Sequence, residues 1–262
     1  MARVIFLGNW SLQTADTDTT NYLVEVGDTR ILVDGGPGVV KQLEKAGIDV
    51  TSINLIIITH RHGDHALGVP YFLFADYFKR RMQNRPLEPK KVITLPEVHI
   101  GIIESVRFFF PQVFAAPDFK IEEMDADPVA EKRFELNNVV ITTFPVTHAV
   151  PTIGFRIQAG GKTIVFTSDT SYDNRIVSMA KGCDLLVHEG MGTLADREFL
   201  SRTGHSVAED AGRAAGEAGA KMLAVCHLMP KYLGKKNLFM KEASSKFNGK
   251  ILIPDDLEVL DV

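Results

Sequence analysis

The chain has 262 residues, 45% of them hydrophobic, with 29 basic and 33 acidic side chains and a formal net charge of −4. That length supports one large core in a single domain, residues 1–262. The mild acidity gives no global electrostatic footprint for a nucleic acid or an anionic membrane surface, the two cysteines Cys183 and Cys226 make no disulfide framework, and no stretch approaches the ~20 apolar residues of a membrane span.

A soluble, cytoplasmic protein acting on a small molecule is therefore expected. Arg3 to Leu7 reads as a first strand rather than a signal peptide. Ser11 to Thr20, rich in Thr and Asp, is a loop. Asn21 to Val26 and Arg30 to Asp34 are strands joined at Gly27-Asp28, a hairpin signal. Gly35-Gly36-Pro37-Gly38 is a turn; no Lys-Ser/Thr follows, so it is not a phosphate loop. Val39 to Ala46 is a short helix stopped by Gly47. Leu55 to Ile58 has the length of a buried strand, and Ala66 to Arg81 is helical. Lys79, Arg80, Arg81, Arg85, Lys90 and Lys91 form a basic run, by default a solvated face. Its sharper reading is a patch that attracts anionic substrate. Val92 to Leu95 is a strand. Pro96 opens a helix to about Arg107; His99, inside it and without partners, is left out of the site. Phe108-Phe109-Phe110-Pro111, with Val113 and Phe114, is core, a homodimer contact or an apolar wall of a pocket.

Phe119 to Asp125 and Val139 to Phe144 are further strands. Ile153 to Ile157 and Lys162 to Phe166 form a second hairpin around Gly160-Gly161. Asp173 to Ala180 is helical and Leu185 to Val187 a buried strand. Ser206 to Ala218 is a helix with a Ser206/Glu209 capping box and Gly219 as its stop. Met222 to Val225 is a strand, Lys235 to Phe247 a helix and Ile251 to Ile253 a last core strand. Strands alternate with helices in two blocks, which fits α/β layering.

Chemistry concentrates directly after Leu55 to Ile58, where His60, His62, Asp64 and His65 crowd around Gly63. Imidazole nitrogen and carboxylate oxygen are the ligands of borderline divalent metals such as zinc. Residues two apart in an extended segment point to the same side, so His60 and His62 can clamp one ion. Gly63 permits a sharp turn that redirects Asp64 and His65 toward a neighbouring position, where a second ion could sit.

The stretch THRHGDH, Thr59 to His65, matches the HxHxDH signature, and the chain resembles the metallo-β-lactamase superfamily. The resemblance implies an αββα four-layer sandwich with a metal site at one edge, completed by a distant His, an Asp and a final His. On that basis His148 in PVTHAVPT joins His60 and His62 on one ion, and His227 in AVCHLMP joins Asp64 and His65 on the other. Asp169 in VFTSDTSY bridges the two; Asp173, its local competitor, fits a helix start better. Asp34 supports the metal loop from behind. Two divalent ions are expected, zinc first because the ligands are N and O, with manganese or iron as alternatives.

DLLVHEG (Asp184 to Gly190), GHSVAEDAGR (Gly204 to Arg213) and CHLMPKY (Cys226 to Tyr232) are similar to the ribonuclease Z branch and its phosphodiesterase and arylsulfatase-like relatives. That likeness gives His205 the catalytic histidine's role, with Glu189 to orient it; His205, Asp64 and Glu189 are the candidate catalytic residues. The arm that grips transfer RNA in that branch would fall between His148 and Asp169, where only Ala149 to Ser168 lie. The family's Ser-Thr after the catalytic histidine is Ser206-Val207, its Thr before the last histidine is Cys226, and FLG is followed by Asn9-Trp10. The expected reaction is hydrolysis of a small phosphodiester or related ester by hydroxide drawn from water shared by two ions. A lactone, thioester or β-lactam hydrolase, a ribonuclease Z-like RNA-processing enzyme and a non-catalytic metal-stabilised binding protein are the alternatives.

Overall fold

The structure is a computed structural model that describes residues 2–262. The first half of the chain supplies β1 (Ala2–Gly8), β2 (Asn21–Val26), β3 (Thr29–Val33), α1 (Val39–Lys45), β4 (Leu55–Ile57), α2 (Gly63–Ala66), α3 (Val69–Met82), β5 (Lys90–Thr94), α4 (Pro96–Phe109), α5 (Pro111–Phe114) and β6 (Ile121–Asp125). The second half supplies β7 (Lys132–Leu136), β8 (Val139–Pro145), β9 (Ile153–Ala159), β10 (Lys162–Phe166), α6 (Asn174–Met179), β11 (Leu185–Glu189), α7 (Arg197–Thr203), α8 (Ala208–Ala218), β12 (Met222–Cys226), α9 (Lys236–Ser244), β13 (Lys250–Leu252) and β14 (Glu258–Asp261).

These strands form two seven-stranded sheets, ordered β14-β1-β2-β3-β4-β5-β6 and β13-β12-β11-β10-β9-β8-β7. Each sheet follows one scheme. An antiparallel meander, β1–β2–β3 or β7–β8–β9–β10, feeds a parallel run, β3–β6 or β10–β13. Every residue of β4 and β11 is buried, as parallel strands covered on both faces must be. Between the sheets, Phe166 stacks on Phe155 at 4.9 Å and meets Tyr22 of the opposite sheet at 5.7 Å. Helices α1, α3 and α4 cover the first sheet through Leu43, Phe72, Val98 and Ile102. Helices α6, α8 and α9 cover the second through Ile176, Ala211, Ala215 and Phe239. The result is an αββα four-layer sandwich, the architecture the resemblance implies.

Several local expectations are corrected. Helix α8 starts at Ala208, not Ser206. The Val207 N–H donates to Asp210 Oδ2 at 3.2 Å, and Glu209 pairs with Arg197 at 2.8 Å instead of closing a box on Ser206. Ser206 is drawn elsewhere: its hydroxyl donates to the Thr170 carbonyl at 2.6 Å. The strand near Ile251 is neither last nor core; β13 is a half-buried edge, and β14 follows it to pair with β1. The basic run is a solvated face only in part: Lys79, Arg81, Arg85 and Lys91 reach solvent, and two members do not. Arg80 and Lys90 are buried around Asp76, at 3.1 and 3.2 Å, and Lys79, Arg81 and Lys91 pair with Asp49, Asp118 and Glu122. His99 does have partners, Asp125 Oδ1 at 2.8 Å and the Val92 carbonyl at 3.1 Å. Phe110 stacks on Phe74 at 4.6 Å, but Phe108 and Phe109 are 77% and 65% exposed, which removes the core reading for both.

Candidate metal centre

Strands β3, β4, β8, β10, β11 and β12 all end at one edge of the sandwich, where parallel α/β sheets place ligand sites. From these ends the structure gathers two groups of side chains. His60, His62, His148 and Asp169 form the first, and Asp64, His65, His227 and Asp169 the second; within each group the ligand atoms lie within 4.8 Å of one another. In the first, His60 Nε2 is 3.0 Å and His148 Nε2 3.2 Å from His62 Nδ1. In the second, His227 Nε2 is 3.3 Å from Asp64 Oδ2, and His65 Nε2 is 3.6 Å from the same oxygen. Asp169 alone belongs to both: its Oδ2 is 3.7 Å from His60 Nε2 and 3.5 Å from His227 Nε2, and its Oδ1 is 3.4 Å from His65 Nε2. All seven sequence-predicted ligand candidates are thus brought together. Asp173 is not among them; it caps α6 by accepting the Arg175 N–H at 2.8 Å.

Backbone geometry aims these groups. Asp34 follows β3, Ser168 follows β10 and His227 follows β12, all three with left-handed φ of 59°, 58° and 61°. A non-glycine residue there carries strain of about 1–3 kcal/mol, a cost that clusters at functional sites. The turn swings each side chain from the strand line into the space between the sheets.

Hydrogen bonds then set the rings. Asp34 accepts the Thr59 N–H at 2.8 Å, the Thr59 hydroxyl at 3.0 Å and His65 Nδ1–H at 2.8 Å. With its own proton directed to Asp34, Thr59 Oγ1 accepts from His60 Nδ1 at 3.1 Å. His148 Nδ1–H donates to the Gly204 carbonyl at 2.9 Å. In His60, His65 and His148 Nε2 is thereby the nitrogen turned inward, the one a metal ligand must present.

The donor set fits divalent cations. His65 Nε2 and Asp169 Oδ1 are buried with no hydrogen-bond partner, and His60 Nε2 and His148 Nε2 both face the centre as acceptors. Burial, with the neighbouring rings, holds His60, His62 and His148 as neutral imidazoles. Asp169 and Asp64 are kept well below the usual carboxylate range: burial opposes this, but His227 and His65 outweigh it. His65 is pushed up despite its burial because the Asp169 and Asp34 charges flank it. Acceptors converge here in a field that favours positive charge.

His205 stands at the mouth. Its ring stacks on His227 at 5.4 Å and 16° and meets His148 edge-on at 4.8 Å. Its Nδ1–H donates to Glu189 Oε1 at 3.0 Å, leaving Nε2 free. Glu189 is buried and also accepts the Thr170 and Ser206 N–H groups, at 2.6 and 3.1 Å. Burial pulls His205 down, but the Glu189 carboxylate prevails and lifts it to about 9. Glu189, His205 and His227 form a third ligand-capable group. In a fourth, His99 with Glu123 and Asp125, both His99 nitrogens are already engaged.

Reading the sequence did not find Thr59, Gly204 or Thr170, whose contributions come from a hydroxyl or backbone groups. It also missed the N-terminal loop's role: Leu228 N–H donates to the Asn9 carbonyl at 3.1 Å and Ser11 N–H to the Leu228 carbonyl at 2.9 Å, which braces the His227 turn.

A sequence profile of the Beta-lactamase superfamily domain matches residues 29–228. Ribonuclease Z of Natronomonas pharaonis is 25% identical over 307 aligned positions, covering 99% of this chain and 97% of its own. Among solved structures, the metallo-beta-lactamase fold protein YhfI from Bacillus subtilis superposes with a TM-score of 0.82 at 25% identity, covering 99% of this chain and 98% of that one. Human tRNase Z, short form, superposes at 0.80 with 20% identity over 99% and 98% of the two chains; that second likeness concerns the fold.

Proposed function

The chain belongs to the beta-lactamase superfamily, and from that footing we propose that it is a metal-dependent hydrolase of a small phosphodiester or related ester. One observation carries the reading: seven inward-facing ligand atoms fall into two groups that share Asp169. His60, His62 and His148 would hold one divalent cation, Asp64, His65 and His227 the other, with Asp169 between them and zinc the first candidate. When bound, such a pair supplies Lewis acidity, drawing the pKa of water toward neutrality and polarising the scissile bond.

The chain's own residues do the rest. Asp34, directly and through Thr59, keeps His65 and His60 facing inward. Glu189 holds the His205 Nδ1 proton and keeps the ring charged. His205 Nε2–H is then the group that protonates a leaving oxygen or steadies its developing charge, a contribution of about 10²–10⁴-fold.

A small substrate is supported by the segment between His148 and Asp169, where a tight β9–β10 hairpin stands in place of an RNA-gripping arm. The name of the matched Natronomonas pharaonis relative favours the second reading, a ribonuclease Z-like activity. Lactone, thioester or β-lactam hydrolysis would use the same centre on a carbonyl carbon. A cytoplasmic setting belongs to this proposal. The deciding experiment is turnover by metal-quantified protein on bis-p-nitrophenyl phosphate, a cyclic phosphodiester, lactones, thioesters and precursor transfer RNA. Phosphodiester turnover with about two ions per chain is expected. Accurate 3′ trimming of precursor transfer RNA, or preference for lactones, would replace the substrate class; protein that binds no zinc, manganese or iron would remove the reading.

A further inference from the structure

His227 differs from three other histidines of the centre in what stands behind its ring. His60, His65 and His148 each place Nδ1 against a protein acceptor. His227 does not: its Nε2 faces Asp64 and Asp169, while its Nδ1 is buried without a protein partner among the described residues. Beneath the centre, between the sheets, lies a cavity lined by Thr20, Tyr22, Ser168, Cys226 and His227 among others. It offers about 20 Å³ to a water-sized sphere, enough for one water and little more. Two of its lining residues carry buried hydroxyls that also lack partners, Thr20 Oγ1 and Ser168 Oγ.

The chemistry of the three groups is complementary. If His227 Nε2 is a ligand it presents a lone pair, so Nδ1 carries the ring proton and is a donor. A hydroxyl can accept as well as donate. A water between them accepts from Nδ1–H and donates to the hydroxyls, within the two to four partners a buried water typically has. Left unpaired, each of the three buried polar groups would lose its solvation with nothing in return. The strained φ of Ser168 and of His227 turns both residues toward this space.

We propose that one buried water in this cavity, held by Ser168 and Thr20, accepts a hydrogen bond from the His227 Nδ1–H and fixes the ring with Nε2 toward Asp64 and Asp169. Ser168 and Thr20 are positioning residues for the second cation. This rests on the metal reading of the site, and the test separates the two.

Wild type, Ser168→Ala and Thr20→Val are stripped of metal and titrated with zinc against a competing chelator, with ring ¹⁵N spectra of His227 in the loaded wild type. The expected result is a His227 Nδ1–H that exchanges slowly, with the second zinc equivalent weakened about ten- to hundredfold in both variants, the range typical for ligand-supporting residues, and the first unchanged. A His227 proton on Nε2 overturns the proposal, as does unaltered affinity for the second equivalent in both folded variants. The ring spectrum is read on wild type and decides even if a variant does not fold. Wild type that binds no zinc overturns the metal reading itself.

Discussion

His205 makes the sharpest claim at the scale of single residues. It touches Glu189 through Nδ1 and both histidine groups through its faces, yet the seven ligand candidates are complete without it. His205→Ala should keep its fold and both ions and lose about two to four decades of kcat. The loss should be smaller on substrates with good leaving groups. A mutant short of metal would mean that His205 is a ligand, as its grouping with Glu189 and His227 permits. The pH profile tests Glu189 separately. Burial lowers the His205 pKa and the Glu189 charge raises it to about 9, so the protonated ring persists to that pH and activity falls above it. Glu189→Gln removes the largest raising cause and leaves burial opposed only by Asp169 and Asp64, so the alkaline limb should move to lower pH; an unmoved limb would assign it to another group. The residues that were legible in the sequence are those packed into one short motif or set beside a strand end, such as His60 to His65 and Asp169. Ser206 and Thr170 were not, because they act through bonds to Glu189 and to each other that only the folded chain brings within reach.

Among the elements, the α8–α9 pair shows how packing overrides propensity. Alanine is the better helix former by about 1 kcal/mol, but a Cβ on Gly212 would stand 2.8 Å from Ala243 Cα, on the backbone of α9. Gly212→Ala should therefore destabilise the fold by about 1–3 kcal/mol, the range for overpacking, measured by urea or thermal unfolding. A stabilised variant would show that α9 can move away. The same contrast decides which elements could be read. Strands β4 and β11 are buried throughout and announce themselves as apolar runs. Strand β7 buries only Phe134 of KRFEL, and β14 only Leu260, so neither carries a clear alternation. The Ser-x-x-Glu pattern at Ser206 has a capping box's spacing, but Glu189 and Thr170 claim Ser206 first, and the helix begins two residues on.

For the whole molecule, two consequences are open to measurement. Phe108 and Phe109 end α4 in solvent, and Ile100, Tyr71, Phe78 and Met82 on α3 and α4 are exposed as well. Contiguous apolar surface is a common feature of association faces, which makes self-association the expectation to test. The protein should run as a dimer in light scattering and Phe108→Asp should shift it toward monomer; a monomeric wild type would leave the face unexplained by self-association. The second consequence belongs to time. The ligand candidates run from His60 to His227 and sit on both sheets, so no half of the chain can assemble the centre alone, and the loops that meet there close over long sequence distances. The centre is then complete only once the two sheets have docked. A cation bound by the native state and not by the folding transition state deepens only the native well. Saturating zinc should slow unfolding in stopped-flow denaturant jumps and leave the refolding rate of the metal-free chain where it was. Faster refolding with zinc would instead mean that His60, His62 and His65 gather a cation before the second sheet arrives, and that the centre helps to nucleate the fold.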